Sequence, residues 1–207
     1  MKAFNKYTIN INQVEKSFLK YLICYIILFF VPIMIPAILT NVNGLSYINK
    51  YNQIIIGIIV NITLIKMAIT SKSYAPLVIG CALPSLSALP LGLVGTVQLS
   101  FVYACYMMPF IWLGNLSLVL IFRILFSNKR MNYALVSTIA LVAKTILIYG
   151  FFCVMSYGAG LIPTSIDNFI SMQFAMSLYQ VITLTVAVLS NISFAIKCSR
   201  VKKYERL

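Results

Sequence analysis

The strongest constraint on the fold is a repeated pattern of long apolar stretches separated by short polar joints. A helix needs about 20 mostly apolar residues to cross about 30 Å of hydrocarbon, and six windows meet that requirement. They run approximately over Phe18–Leu39, Ile54–Thr70, Ala75–Val94, Ser100–Phe126, Tyr133–Tyr157 and Phe169–Ile196. The pattern predicts an all-α, polytopic membrane helix bundle with six transmembrane helices, folded as one domain over residues 1–207.

Composition favours the same class of protein. Hydrophobic residues make up 61% of the chain and charged residues 9%, whereas a soluble domain has about 45–50% and about 25%. The net charge of +13 would suggest nucleic acid in a soluble protein. Here the basic residues stand at the ends of apolar windows, which indicates membrane topology and contact with anionic lipid headgroups instead. We therefore expect a multi-pass protein of the cell membrane that binds no nucleic acid.

The distribution of basic residues predicts the orientation, because loops rich in Lys and Arg stay in the cytoplasm. The amino-terminal segment, the second-to-third joint, the fourth-to-fifth joint and the carboxyl tail are all basic. Their basic residues include Lys2, Lys6, Lys16, Lys20, Lys72, Lys129, Arg130, Lys197, Arg200, Lys202, Lys203 and Arg206. The three opposite joints hold only Lys50 among basic residues. Both termini are predicted to be cytoplasmic.

The sequence lacks the usual reagents of catalysis. It contains no histidine and only three acidic residues, Glu15, Asp167 and Glu205. There is no phosphate-binding loop of the G-x-x-x-x-G-K-[ST] type, and the five cysteines form no C-x-x-C pair. We expect no catalytic residue, no metal site and no cofactor, and hence a protein that is not an enzyme.

Lys144 is the residue that most needs an explanation. It lies roughly midway between Tyr133 and Tyr157 and so near the bilayer midplane, where a cation costs about 2.5–3.5 kcal/mol. It is expected to face the interior of the bundle. Since no acidic residue is predicted at that depth, this lysine is either neutral or awaits an anionic group on a ligand.

Other polar and aromatic residues are candidates for the same site. Asn61, Ser85, Asn115 and Gln180 are predicted at about the depth of Lys144. They either contact a small ligand or only bond helices to one another. In the outer half, amides and aromatic rings of the kind that line small-molecule pockets are supplied by Gln98, Tyr103, Tyr106, Trp112 and Gln173, although tyrosine and tryptophan also form interfacial belts.

Several short motifs resemble a known family. These are Leu83-Pro84-Ser85 with Ala88-Leu89 and Gly92, then Met108-Pro109-Phe110-Ile111 leading to Asn115, and Lys144 in the fifth span. Together with the chain length and six predicted spans, they resemble the substrate-binding S component of energy-coupling factor transporters, in a clostridial-type branch. The first span departs from that family, whose members often present alanines four residues apart, because it has only Ala37.

The resemblance implies a subunit that captures a vitamin or other micronutrient near the extracellular side. It would dock on a transmembrane coupling subunit driven by two ATPase subunits. The substrate is expected to be a small molecule that bears a carboxylate. Two alternatives remain open: a non-transporting structural subunit of a larger membrane complex, and a self-sufficient secondary transporter. The absence of an evident internal repeat disfavours the secondary transporter.

Overall fold

A computed structural model describes residues 11–41, 51–71, 73–87, 101–150, 153 and 166–204 of the chain. Within these residues the protein is all-α and contains no strand. The six helices are α1 (Ile11–Asn41), α2 (Asn52–Thr70), α3 (Ala75–Leu86), α4 (Phe101–Ile121), α5 (Tyr133–Thr145) and α6 (Ile166–Tyr204). The predicted fold class is therefore confirmed.

Two of these helices continue as π-helical segments, in which backbone bonds join residues five apart. Phe122–Asn128 extends α4, and Ile146–Gly150 extends α5 directly after Lys144 and Thr145. The first π-helical segment leads into a short joint, after which the side chain of Asn132 accepts a hydrogen bond from the backbone N–H of Ala134 at 2.8 Å. That bond satisfies one of the otherwise unpaired N–H groups at the start of α5.

Among the described residues, five helices are long and apolar enough to cross a membrane. These stretches are Phe18–Leu39, Asn52–Thr70, Met108–Asn128, Tyr133–Gly150 and Ser177–Ser199. Each of them overlaps one of the predicted windows. Helices α4 and α6 begin at Phe101 and Ile166, close to the predicted starts at 100 and 169. The fifth stretch ends at Gly150, and most of the remainder of its predicted window, up to Tyr157, lies outside the described residues. The sixth apolar helix is α3, which has 12 residues. The rest of its predicted window lies outside the described residues from Ala88 onward.

Helix α2 is the centre of the bundle. It packs against α1, α3, α4 and α6, and it has the largest buried share of the five spans. The helices form two four-membered rings that share α2 and α4. One ring consists of α1, α2, α4 and α3, and the other consists of α2, α4, α5 and α6. A side chain that points inward from α5 therefore meets α2 across the second ring.

Close approach of helices depends on positions without a side chain. A Cβ atom at Gly114 of α4 would overlap Cγ1 of Ile148 and lie 2.6 Å from its Cδ1. Ile148 follows α5 and is itself buried. Small residues let helix backbones approach closely in membranes, where no hydrophobic effect drives helices together. Gly114 thus sets the spacing between α4 and α5.

We predict that Gly114→Ala destabilises the protein by about 1–3 kcal/mol, because the added methyl overpacks a filled contact. Thermal unfolding in detergent measures this. Gly150→Ala is the matched control, since its nearest new neighbour would be Ile146 Cγ2 at an ordinary 3.6 Å. The cost of Gly114→Ala should shrink in an Ile148→Ala background. Equal effects of the two glycine substitutions would contradict this packing.

The orientation of the bundle stays a prediction and has a direct test. Because loops rich in Lys and Arg remain cytoplasmic, a fluorescent protein fused after Leu207 should fluoresce, and alkaline phosphatase at the same position should be inactive. A fusion in the joint between α1 and α2 should give the reverse pattern. Active phosphatase at the carboxyl terminus would show that the predicted orientation is wrong.

Candidate functional site

Lys144 is buried in the ring formed by α2, α4, α5 and α6. Its side chain is 3% exposed, so the prediction that it faces the bundle interior is confirmed. It stands in the last turn of α5 before the π-helical segment Ile146–Gly150. Its stem lies near Gly114, where an added Cβ would come within 3.6 Å of Lys144 Cγ. The ammonium group therefore does not extend to the surface of the bundle.

Two asparagine side chains accept hydrogen bonds from this ammonium group. Lys144 Nζ donates to Asn61 Oδ1 on α2 at 2.5 Å and to Asn115 Oδ1 on α4 at 2.8 Å. Both asparagines are almost fully buried. Because an ammonium can only donate, each asparagine must turn its oxygen and not its nitrogen toward Lys144. The three residues, here called the Lys144 cluster, join α2, α4 and α5.

The Lys144 cluster continues to α6 through weaker bonds. Asn61 Nδ2 donates to Thr183 Oγ1 at 3.4 Å, and Thr183 Oγ1 donates to the backbone oxygen of Gln180 at 3.0 Å. Gln180 Nε2 lies 3.5 Å from the hydroxyl of Tyr149, which is the outer limit for a hydrogen bond. Its Oε1 atom is buried and has no partner among the described residues. All four helices of the ring thus contribute to one polar layer.

The π-helical segment explains why Tyr149 belongs to this layer. In an α-helix each residue advances about 100°, so Tyr149 would point about 140° away from Lys144. A π-helical turn contains an additional residue and brings residues five apart onto one side. Tyr149 lies in this π-helical segment, and its hydroxyl is 3.5 Å from Gln180 Nε2 on α6. Such local π-helical turns occur frequently at functional sites.

Ser85 lies in a separate cavity between α3 and α4. The cavity has a volume of about 430 Å³ and is lined by Ala82, Ser85, Leu86, Cys105, Met108, Pro109 and Trp112. The hydroxyl oxygen of Ser85 is buried and has no hydrogen-bond partner among the described residues. Buried polar groups are normally paired. An unpaired hydroxyl in an apolar cavity is therefore a candidate contact for a ligand.

This cavity adjoins the Lys144 cluster along two helices. On α4, Trp112 lines the cavity and Asn115 follows three residues later, so the two share a side of the helix. On α3, Cys81 precedes Ser85 by four residues and lies within electrostatic range of Lys144. Each separation corresponds to about one helical turn, or about 5 Å. The cavity lies toward the predicted outer side from the cluster.

The structure brings together some of the predicted site residues and leaves others unplaced. Asn61, Asn115 and Lys144 meet directly, Gln180 joins them through Thr183, and Ser85 and Trp112 line the neighbouring cavity. Tyr103, Tyr106 and Gln173 belong to helices α4 and α6, but the structure describes only the backbone at these three positions. Gln98 lies outside the described residues.

Sequence reasoning missed Thr183, Tyr149 and Cys81. Thr183 had a usable signal, since it lies three residues after Gln180 and so on the same helical side. Tyr149 had none, because its position depends on the π-helical segment. Among the described residues, no group of three His, Cys, Asp or Glu side chains could hold a metal ion.

The fold and the site define a multi-pass helical membrane protein with a buried polar cluster beside an apolar cavity. Comparison of the chain with models of protein families, with curated proteins and with solved structures finds no match. The resemblance to transporter S components therefore continues to rest on the sequence motifs alone.

The Lys144 cluster predicts a coupled effect on stability. Asn115→Leu should destabilise the protein by about 1–3 kcal/mol, because it removes an acceptor from a buried ammonium group. In a Lys144→Met background the same substitution should cost less, with a coupling of at least about 0.5 kcal/mol. Reversible unfolding of the four variants measures this cycle. Additive costs would show that the bond contributes nothing to stability.

Proposed function

We propose that this protein is the membrane-embedded substrate-binding subunit of a micronutrient uptake transporter in the cell membrane, similar to the S components of energy-coupling factor transporters. The observation that carries the proposal is the buried amine of Lys144, whose two acceptors among the described residues are neutral amide oxygens. Amides orient the ammonium group without neutralising it. A negative group on a ligand would do so in a site of low dielectric, where the attraction is strong.

The neighbouring cavity supports a ligand with an apolar body. At about 430 Å³ it is within the range of small-molecule sites, which are concave, mostly apolar and equipped with a few polar groups. Trp112 and Met108 offer apolar contacts, and Ser85 offers an unpaired hydroxyl. A ligand in this cavity would require the ammonium of Lys144 to turn toward it, a movement of the long, flexible lysine stem. A small monocarboxylate fits these features.

The partners in this proposal are a transmembrane coupling subunit and two ATPase subunits. The sequence has no phosphate-binding loop, so energy for uptake would come from those partners. The lipid bilayer would be the solvent for the five helices that are long and apolar enough to cross it. Co-purification of a coupling subunit and its ATPases with the tagged protein from native membranes would support this assignment.

The hydrogen bonds within the Lys144 cluster favour a second candidate function. Lys144 donates to Asn61 and Asn115, and Asn61 donates to Thr183, as expected if these groups only hold helices together. In that case the protein is a structural membrane subunit of a larger complex. The two candidates differ in one respect, since only the first requires a ligand.

Ligand binding separates the two functions. Purified protein should bind one member of a panel of carboxylate-bearing micronutrients, and Lys144→Met should weaken that binding by about tenfold or more, because it removes the group that meets the carboxylate. Isothermal titration calorimetry in detergent measures both. Binding of none of the panel by the wild type, or unchanged affinity in Lys144→Met, would contradict the proposed function.

A matched variant controls for loss of positive charge. Lys66 is an exposed lysine on α2, near the end of the helix. Lys66→Met removes the same charge without touching the Lys144 cluster and should leave ligand affinity within about twofold of the wild type. Thermal unfolding of both variants establishes that a loss of binding does not reflect a loss of fold.

A further inference from the structure

A second cavity lies toward the other end of the bundle, where α5 begins and α6 approaches its end. Its volume is about 640 Å³. Side chains from the end of α2, the π-helical segment after α4, the joint before α5 and the last turns of α6 line it. This is the end that the basic joints predict to be cytoplasmic. Nothing in the proposed ligand site involves it.

The walls of this cavity are mostly apolar and well supported. Phe126 and Tyr133 form one wall, with ring centroids 5.3 Å apart in an edge-to-face arrangement. The Tyr133 hydroxyl donates to the backbone oxygen of Val188 at 3.0 Å, which ties this wall to α6. Ile192 and Ile196 of α6 line the cavity and are exposed. The cavity is therefore open at the apolar surface of the bundle along α6.

The rim of the cavity is positively charged. Arg130 lines it and is exposed, and the lining contains no Asp or Glu. Two further basic residues adjoin lining residues in the sequence and are exposed: Lys129 precedes Arg130, and Lys197 follows Ile196. Ser127 also lines the cavity. Its hydroxyl oxygen is buried and has no hydrogen-bond partner among the described residues, so a side-chain rotation would be needed to present it to a ligand. A guanidinium and a hydroxyl together are well suited to phosphate oxygens.

The backbone holds Arg130 in position. Its φ of 58° is in the left-handed region, which non-glycine residues other than Asn and Asp adopt uncommonly. Lys129 N donates to Ile124 O and Met131 N donates to Leu125 O, both at 2.9 Å, so the bonds on either side fix this conformation. The arrangement is that of a helix C-terminus closed by a left-handed residue.

We propose that this cavity binds one anionic phospholipid. Its phosphate would lie at Arg130 and Ser127, and an acyl chain would lie against Ile192 and Ile196. Charge complementarity selects the headgroup, because each basic residue near an anionic membrane surface contributes about 1 kcal/mol, or about fivefold in affinity. The apolar walls select a lipid over a free phosphate compound, since only a lipid would cover them.

Native mass spectrometry of the detergent-purified protein tests this with an equal mixture of phosphatidylglycerol and phosphatidylcholine that have the same acyl chains. The wild type should retain one phosphatidylglycerol with a preference of about fivefold or more. Arg130→Asn should abolish most of that preference while preserving the fold, because asparagine tolerates the left-handed conformation. Arg130→Gly repeats the test if the asparagine variant is unstable.

Lys129→Asn is the matched control, since it removes one positive charge from the adjacent residue, which is not part of the lining. It should lower the preference by a clearly smaller factor than Arg130→Asn does, because Lys129 adds only to the general attraction of an anionic surface. Equal loss in the two asparagine variants, or equal retention of both lipids by the wild type, would overturn the proposal and leave the cavity as a protein contact surface. Displacement of the lipid by glycerol 1-phosphate, which lacks acyl chains, would overturn it as well.

Discussion

A lysine buried inside an apolar helix bundle must find oxygen atoms, and the inner arrangement of this bundle follows from that requirement. Water is absent from the hydrocarbon, so an unsatisfied ammonium group there is expensive. Asn61 and Asn115 supply the acceptors from α2 and α4. Because α2 and α5 do not pack side by side in the ring, the bond from Lys144 to Asn61 crosses its interior. That bond specifies how the helices face one another.

The two rings of helices place the buried asparagines, the cavity at Ser85 and the second cavity in different parts of the bundle. The shared pair, α2 and α4, provides the buried asparagines, and Gly114 lets α5 approach closely. The ring with α1 and α3 adjoins the cavity at Ser85. The ring with α5 and α6 holds the polar layer in its middle and the second cavity at its basic end. A molecule bound in the first cavity would touch α4, and a molecule bound in the second would touch α2 and α5. All three of these helices contribute a residue to the Lys144 cluster.

Much of the fold followed from the apolar windows, because each window must fill the membrane thickness by itself. The amides at the depth of Lys144 were found by counting residues inward from the window ends. Their pairing could not be found in this way, since it depends on which sides of α2, α4 and α5 face inward. The place of Tyr149 depends on one additional residue in a helical turn, which hydrophobic periodicity does not reveal. The unpaired hydroxyl of Ser85 is likewise visible only once α3 is packed on α4.

The short joint between α4 and α5 has a consequence for how the chain enters the membrane during synthesis. Three residues, Lys129, Arg130 and Met131, separate the π-helical end of α4 from the N-cap at Asn132. Helices joined so closely can insert together as a hairpin. Asn115 would then accompany Lys144 into the lipid as its first acceptor, and Asn61 on the earlier helix would complete the coordination later. The most costly residue of the sequence thus never needs to cross the bilayer alone.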